Sequence, residues 1–448
     1  MKRVLIITYY WPPSGGSGVQ RWLKYARYLP EYGWQPVIYT PENPEAPATD
    51  SSLLAEVPLQ AEIIRRPITE PYQWYKKITG RRESVNVGFI RTEAEGSESR
   101  AELLSRWVRG NFFIPDARCL WIRPSVRFLQ HYLRENPVEA IISTGPPHSM
   151  HRIAQQLARK TGLPWLADFR DPWTGIDFYA DLLLTQPADR LHRRMERSVL
   201  SQADVVTTVS GSIRGELLEK GARRAEVIPN GYDPADFAGL STKVQPASDY
   251  FTLTHSGSLV PSRNPRALWE ALAKLCRQLP DFRAKLRIRL VGSVDSSVRV
   301  SVQEAGLDGN CTFIPYLPHQ QALEEVFSAD VLLLLINNTA NAGGFLSGKV
   351  FEYMASGRPI LCIGPENGDA AALLQETGSG LTHGFSDTDG ITLCLEKWFT
   401  NWQHGRPSVQ PSAEAVRSYT RPAQAAAIGR LLEELTASQK EASLKSYI

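Results

Sequence analysis

The sequence contains little cysteine, and its cysteines are scattered. Five occur among 448 residues, and they are Cys119, Cys276, Cys311, Cys362 and Cys394. No two stand close enough for a Cys-x-x-Cys metal or redox pair, and an odd count does not favour a framework of paired disulfides. We therefore expect buried thiols in a reducing compartment, and we predict a cytoplasmic location.

Long apolar runs are also lacking. The stretch Val4 to Thr8 follows Met1-Lys2-Arg3 as in a signal peptide, but it is short and Pro12 closes it. No window approaches the ~18 to 20 apolar residues that a membrane span requires. This stretch is typical of a first strand that is buried on both faces.

An excess of one charge is lacking as well. Lys and Arg number 50 and Asp and Glu number 47, so the formal net charge is only +3. Such a balance does not by itself indicate nucleic acid, and we predict no nucleic-acid partner. An apolar fraction of 42% is ordinary for globular proteins, and the length predicts two or three domains at roughly 150 residues each.

The chain shows a repeated strand–loop–helix–strand pattern. Residues 3–8 predict a strand, a Pro-Gly-rich stretch follows, and residues 19–29 carry apolar groups at helical spacing before the next strand. The same order recurs through residue 229, and a second series starts at residue 251. This pattern predicts an α/β protein with two Rossmann-like halves of parallel sheet facing across a cleft.

We predict domain boundaries from shifts in composition. The first domain covers 1–235, with a polar, irregular insertion at about 76–110. A linker follows at 236–250, and the second domain covers 251–412. A helical tail, 413–448, is expected to pack back on the first domain.

Three loops of the first half stand between a strand and a helix, where such sheets bind ligands. The glycine loop contains Gly16, Ser17 and Gly18, whose backbone could approach a phosphate, or it is a plain tight turn. His148 ends a second loop and either contacts a ligand or is simply solvated. The third, which contains Asp168, Arg170 and Asp171, either has a functional role or forms an internal Arg–Asp pair.

The second half offers cations at equivalent positions. Arg263 follows a glycine loop and is suited to pair with a diphosphate. Lys349 lies in the first turn of a helix, where a cation is unfavourable unless an anion is near. Glu352 is three residues on, where it accepts from ribose hydroxyls or forms a surface pair with Lys349. No His, Cys and carboxylate cluster has metal spacing, and Asp387-Thr-Asp389 is taken as incidental.

These motifs in this order resemble glycosyltransferase family 4, the retaining nucleotide-sugar transferases of the GT-B fold. The residues that carry the resemblance span nearly the whole chain, and they are Gly15–Gly18, Thr207–Gly211, Val227–Gly231, His255–Ser258 with Arg263, Phe313–Pro318 before Ala329-Asp330, and Phe351–Pro359. Ser143–His148 and Asp168–Trp173 look like a bacterial branch linked with surface polysaccharide synthesis.

The resemblance implies a nucleotide-diphosphate sugar held mainly by the second half. Its donor-binding residues would be Gly16, Ser17, Gly18, Ser258, Arg263, Tyr316, Gly343, Gly344, Lys349 and Glu352. Its catalytic residues, beside the reacting sugar, would be His148, Asp168, Arg170 and Asp171. No metal or other cofactor is implied, because positioned cations and amides would stabilise the departing diphosphate.

The sequence departs from the family pattern at two positions. The first motif glutamate falls at Gly344, so contacts to the sugar must come from backbone amides or another side chain. The usual arginine after the glycine at 257 is Ser258, which leaves Lys349 as the substitute cation.

Function stays open between three classes at this point. The first is a glycosyltransferase acting on a saccharide or lipid-linked acceptor; the others are a nucleotide-sugar epimerase and a non-catalytic nucleotide-sugar binder. Residues 106–134 mix arginines with aromatics, and they either contact an anionic membrane at the inner face or form a solvated helix over the core.

Overall fold

The computed structural model describes residues 1–45, 49–70, 100–176, 179–238 and 249–445. The chain forms two compact units. The first comprises Met1–Pro229 and Pro422–Ile448, and the second comprises Asn230–Arg421.

The first unit contains a parallel sheet. Its strands are β1 (Lys2–Ile7), β2 (Trp34–Pro41), β3 (Glu62–Arg66), β4 (Ala140–Gly145), β5 (Trp165–Phe169), β6 (Val205–Thr208) and β7 (Ala225–Val227). They lie in the order β3-β2-β1-β4-β5-β6-β7. Its helices up to residue 229 are α1 (Ser17–Tyr28), α2 (Arg100–Phe112), α3 (Ile122–Glu135), α4 (Ser149–Thr161), α5 (Gln186–Gln202) and α6 (Gly211–Glu219).

The second unit repeats the plan with six strands. They are β8 (Phe251–Ser256), β9 (Leu286–Val291), β10 (Cys311–Ile314), β11 (Val331–Leu335), β12 (Ile360–Ile363) and β13 (Gly380–His383), in the order β10-β9-β8-β11-β12-β13. Its helices are α7 (Arg266–Gln278), α8 (Pro280–Lys285), α9 (Ser296–Glu304), α10 (His319–Ser328), α11 (Lys349–Ser356), α12 (Asp369–Thr377), α13 (Thr388–Gln403) and α14 (Ala413–Ser418). A long helix, α15 (Arg421–Lys445), follows.

From Val4 onward, strand β1 is apolar because the first sheet is covered on both faces. Successive side chains of a strand point to opposite faces. Leu5 and Ile7 accordingly belong to one core cluster, whereas Val4 and Ile6 belong to another. The second unit likewise has two clusters, one on each face of its sheet.

Helix α15 completes the second of the two clusters in the first unit. Ile428 and Leu432 are fully buried there, together with Trp22 and Trp34. The chain therefore returns from the second unit to the core that its first strand began.

Gly33 shows how a single residue ends a helical segment. Helix α1 runs into a short 3-10 turn, and Gly33 then takes a left-handed conformation with φ of +83° before β2. Glycine adopts this conformation without a Cβ penalty, which is why it commonly follows the last helical residue.

Parts of the predicted insertion and linker lie outside the described residues, at 76–99 and 239–248. The irregular chain expected for 100–110 is wrong, because these residues belong to α2. Leu103, Leu104, Trp107 and Val108 give that segment a helical spacing. At the linker, Pro234–Phe237 is a 3-10 turn that buries Phe237.

Within the described ranges, no helix combines the length and the apolar character that crossing a bilayer requires.

Candidate functional site

The site in the second unit begins where β8 ends. Gly257 follows β8 with a φ of +134°, and a Cβ placed on it would lie 1.4 Å from Nζ of Lys349. The ammonium group therefore packs directly on the backbone of Gly257, and only glycine leaves room for it. Tyr353 on the same helix, α11, holds the strand end through its hydroxyl oxygen, which accepts from the Ser256 backbone N–H at 2.9 Å.

Arg263 provides a second cation at this site. Its Nε donates to Oδ1 of Asn337 at 2.8 Å, and its Nη1 donates to the carbonyl oxygen of Ser258 at 3.0 Å. These neutral partners fix the guanidinium without neutralising it. Neither Arg263 nor Lys349 has a carboxylate within 4 Å among the residues that the structure describes.

The electrostatics of the pair show a site with uncompensated positive charge. Burial, together with the charge of Arg263, lowers the pKa of Lys349 to about 8 against a weaker opposing effect of Glu352. Burial also lowers the pKa of Arg263. His255, at the end of β8, has a pKa of about 3 because of its burial and of both cations, and it is therefore neutral. An anion bound here would raise the pKa values of Lys349, Arg263 and His255 again, because it would stabilise their charged forms.

Glu352 lies one turn beyond Lys349 on α11. Desolvation raises its pKa, and this effect outweighs the opposing charges of His319 and Lys349. Nε2 of His319 is 3.9 Å from Oε1 of Glu352. A half-buried carboxylate of this kind can accept hydrogen bonds from hydroxyl groups.

The remaining second-unit candidates lie on loops at the carboxyl ends of strands. Tyr316 stands between β10 and α10, and 84% of its surface is exposed. Gly343 and Gly344 form a 3-10 turn ahead of α11. Ser258 contributes its carbonyl oxygen to Arg263. The structure thus brings Ser258, Arg263 and Lys349 close to one another. The side chain of Tyr316 is exposed.

In the first unit, Arg170 fixes the glycine loop. Its guanidinium donates to the carbonyl oxygens of Gly18 at 2.8 Å, Pro146 at 2.6 Å and Gly145 at 3.3 Å. Gly16, with a φ of +95°, precedes α1, which Ser17 begins. A Cβ on Gly18 would lie 2.9 Å from Nη1 of Arg170. The arginine therefore ties the loop after β1 to the loop after β4.

Asp168 is fully buried within a closed polar network. Its oxygens accept from Nη2 of Arg21 at 2.8 Å, Nε1 of Trp22 at 2.6 Å and the hydroxyls of Thr144 and Thr207 at 2.9 Å each. Burial favours the neutral acid, but the Arg21 charge and these hydrogen bonds hold the pKa of Asp168 below its usual range. Its contacts are those of a positioning residue, whereas Asp171 is exposed at the same strand end.

His148 lies in an aromatic cluster at the start of α4. Its ring stacks in parallel on Trp173 with the centroids 4.6 Å apart. Burial and neighbouring cationic groups lower its pKa well below the ordinary value, so the ring is neutral. Its Nδ1 is buried without a hydrogen-bond partner among the described residues.

Several residues that shape these sites could not be identified from the sequence alone. Arg21 is the buried partner of Asp168, yet it is 147 positions away, and only its place on α1 after the glycine loop could have indicated it. His319 begins α10 and Asn337 follows β11 on a loop, and no spacing pattern marks either residue. Glu366, His383 and Asp387 have potential metal-ligand atoms within 4.8 Å of one another, although no spacing indicated such a cluster.

The two members of the Asp387-Thr-Asp389 motif have separate roles in the structure. Asp387 accepts from the Gly390 N–H as the N-cap of α13 and from Nδ1 of His383. Asp389 pairs with Lys274 at 2.8 Å.

Comparison with known proteins identifies the first unit. Residues 15–231 match the family model described as a glycosyl transferase 4-like domain. This part of the chain is similar to glycosyl transferase 4-like domains. The resemblance to glycosyltransferase family 4 that the motifs indicated is thereby confirmed.

Solved structures extend the likeness to the whole chain. Sucrose-phosphate synthase from Thermosynechococcus elongatus has a TM-score of 0.59 at 17% identity, covering 98% of this chain and 100% of that one. Anabaena HepE in complex with UDP has a TM-score of 0.52 at 14% identity, with 100% of each chain covered. WaaG, a glycosyltransferase involved in lipopolysaccharide biosynthesis, has a TM-score of 0.51 at 14% identity, covering 97% of this chain and 98% of that one.

A search of curated proteins gives no significant sequence match. The structural likenesses, at these low identities, show the fold. It is the predicted α/β GT-B architecture of two Rossmann-like domains with parallel sheets.

Proposed function

We propose that the protein is a retaining glycosyltransferase that moves a sugar from a nucleoside-diphosphate donor to a saccharide or lipid-linked acceptor. The observation that carries this proposal is the pair of uncompensated cations, Lys349 and Arg263, packed over the backbone of Gly257. Burying like charges together costs free energy unless an anion binds between them. A diphosphate at the carboxyl end of β8 meets that requirement.

The proposed chemistry is the exchange of one bond at the anomeric carbon for another. The bond to the β-phosphate oxygen breaks as the acceptor hydroxyl attacks from the same face, and the hydroxyl proton passes to the departing phosphate. This front-face course, which the resemblance implies, requires no nucleophile from the protein. Lys349 and Arg263 stabilise the charge that develops on the diphosphate, so we propose a metal-independent reaction.

Other residues then have defined tasks in the proposal. Glu352 accepts from the ribose hydroxyls, the loop of Tyr316 receives the base, and the turn that contains Gly343 and Gly344 contacts the sugar through its backbone. In the first unit, His148 orients a hydroxyl through its unpartnered Nδ1. Arg170 holds the glycine loop, and through it the N-terminus of α1, in an anion-binding conformation. Asp168 holds the strand ends beneath them, and in this proposal Asp171, exposed at the same strand end, lies beside the reacting sugar.

We further propose a role in bacterial cell-surface polysaccharide synthesis, at the inner face of the membrane. The likeness to WaaG, a glycosyltransferase involved in lipopolysaccharide biosynthesis, supports such an acceptor. The element that supports this contact is α2, which overlaps the predicted membrane segment 106–134 at residues 106–112. It exposes 61% of Leu104 and 68% of Phe112, and it also carries Arg106 and Arg109. Apolar and basic groups on one helix are typical of peripheral membrane binding.

The test of the function is a donor panel. UDP-glucose, UDP-N-acetylglucosamine, GDP-mannose and dTDP-rhamnose are each incubated with and without saccharide and lipid-linked acceptors, and the released nucleoside diphosphate is measured. We expect release with one donor and only with acceptor, and NMR of the product should show a retained anomeric configuration. EDTA should leave the rate unchanged; loss of activity in EDTA would contradict the metal-free mechanism.

Two other outcomes of the same panel would replace the proposal. Interconversion of the sugar without release would indicate an epimerase. Binding of a donor without turnover under every acceptor condition would indicate a nucleotide-sugar binder.

A further inference from the structure

A separate cavity in the second unit borders the cation site. Its volume is about 380 Å³, within the range of small-molecule sites. It lies at the start of α7, and its lining includes Arg263, Arg266 and Asn338. Arg263 also interacts electrostatically with Lys349, so the cavity adjoins the proposed position of the diphosphate.

The cavity is cationic. Two arginines line it, and none of its lining residues is a carboxylate. Arg266 is the first residue of α7, whose first turn contains no acidic residue and no side-chain cap. The positive end of a helix dipole therefore adds to the guanidinium charge instead of opposing it. In the described part of the chain, Arg266 forms no ion pair within 4 Å.

The other walls of the cavity suit a sugar ring. Ile336, Ile363 and Phe385 supply an apolar surface, and Asn338 and Ser262 supply polar groups at its edge. A lining that combines an apolar surface with polar groups that fix orientation is usual for a small-ligand site.

Gly344 brings no negative charge to the proposed donor site. The resemblance to family 4 implies a glutamate here that contacts the donor sugar, and this chain has glycine. A neighbouring cavity, which shares Phe385, contains Glu366 and Asp387. Their carboxylates are already bonded to the Gly384 N–H and to His383, respectively.

We propose that the transferred sugar carries a carboxylate, as a hexuronic acid does, and that Arg266 binds this carboxylate in the cavity with Arg263 beside it. This inference rests on the proposed donor site. The fork of a guanidinium matches a carboxylate with two parallel hydrogen bonds, and this geometry discriminates against a neutral hydroxymethyl group at the same position.

The test separates binding of the sugar from binding of the nucleotide. UDP, GDP and dTDP are first titrated calorimetrically to find the base that binds. The glucose and glucuronate conjugates of that nucleotide are then compared on the wild type, on Arg266→Gln and on Arg277→Gln. Arg277 is exposed near the other end of α7, so its variant makes the same charge change on the same helix.

We expect the wild type to bind the glucuronate conjugate more tightly than the glucose conjugate. This preference should fall about tenfold or more in Arg266→Gln, as for loss of a hydrogen bond to a charged group, and it should persist in Arg277→Gln. A wild-type preference for glucose, or an equal loss of both sugars in Arg266→Gln, would overturn the inference and leave the nucleotide site intact. If no nucleoside diphosphate binds the wild type, the proposed function fails and the inference fails with it.

Discussion

The ammonium group of Lys349 illustrates how one side chain can prepare a site for an anion. Its pKa of about 8 in the folded chain lies below the ~10.4 of an unfolded lysine. Below pH 8 both states are protonated, and the buried charge lowers the free energy of unfolding in full. As the pH rises from 8 to about 10.5 the folded state loses its proton first, so this cost disappears. A bound diphosphate raises the pKa of Lys349 again, because it stabilises the charged form of the side chain.

We predict that nucleotide affinity falls as the pH rises through 8. In calorimetric titrations between pH 7 and 9.5, the wild type should bind the preferred nucleoside diphosphate progressively more weakly and take up protons on binding. Lys349→Gln should bind about tenfold or more weakly at pH 7, since a charged hydrogen bond is lost, and it should show a flatter profile.

The matched control for Lys349 is Lys274→Gln. Lys274 is partly exposed and pairs with Asp389 in the same unit, so its variant should keep the wild-type profile. A wild-type affinity that does not change over this range would show that Lys349 does not contact the diphosphate.

Asp168 shows what residue-level prediction can and cannot reach. The sequence places it correctly at the end of a buried strand, where a charge requires a partner or a ligand. It does not reveal that the partner is Arg21, because that contact depends on how α1 packs over β5. The catalytic role assigned to Asp168 stays a prediction, and its saturated hydrogen bonds favour a role in positioning. For Lys349, by contrast, the sequence alone predicts an electrostatic cost, because a cation in the first turn of a helix is unfavourable unless an anion is near.

At the level of elements, the segment 106–134 contains parts of two helices that differ in the exposure of their apolar side chains. In α3, Val126, Leu129 and Leu133 are all buried in the core. In α2, large apolar side chains face solvent. The arginine and aromatic content of the segment therefore has two origins, a helix over the core and an exposed helix next to it.

We predict that α2 mediates binding to anionic membranes. Phe112→Asp should reduce flotation with phosphatidylglycerol-containing vesicles by about tenfold or more, because burying such a side chain is worth about 1.5–3 kcal/mol. Neutral phosphatidylcholine vesicles should bind the wild type less well.

Leu393→Asp is the control for that measurement. Leu393 is 67% exposed on α13 in the second unit, so the same kind of charge is added to another exposed apolar site. Equal losses in both variants, or no flotation of the wild type, would exclude α2 as the contact.

Strands that contain continuous apolar runs were predictable, whereas two of the short half-buried strands were not. β11 is apolar along its whole length, and β1 and β4 each contain a continuous apolar run, Val4–Ile7 and Ala140–Ile142, since they lie inside sheets covered on both faces. β3 and β13 were missed. They are short strands at the sheet edges, and their partly exposed residues give no such run. Their pairing depends on a neighbouring strand rather than on their own composition.

On the scale of the whole molecule, the first unit is built from distant parts of the chain. The sequence predicts helix over 413–435 but not the break between α14 and α15, nor the close approach that Gly429 allows. A Cβ on Gly429 would lie 3.1 Å from Cβ of Tyr32. Such contacts depend on how one helix lies on another, which periodicity alone does not determine.

We predict that Gly429→Val destabilises the first unit. Overpacking at this contact should lower the free energy of unfolding by about 1–3 kcal/mol, although valine has a better helix propensity than glycine. Denaturant unfolding followed by tryptophan fluorescence measures this, since Trp34 lies beside Gly429. Ala437→Val, at an exposed position of the same helix, should change stability by about 0.5 kcal/mol or less. A Gly429→Val variant as stable as Ala437→Val would show that the helix is not closely packed there.

The position of α15 also has a consequence for how the protein matures on the ribosome. The second unit is one uninterrupted stretch, Asn230–Arg421, whereas the first requires a helix that is translated after it. The unit synthesised first is thus finished last. During most of translation, Trp22 and Trp34 lack the partners that later cover them. A nascent chain with this order of completion exposes an apolar surface of the kind that chaperones shield.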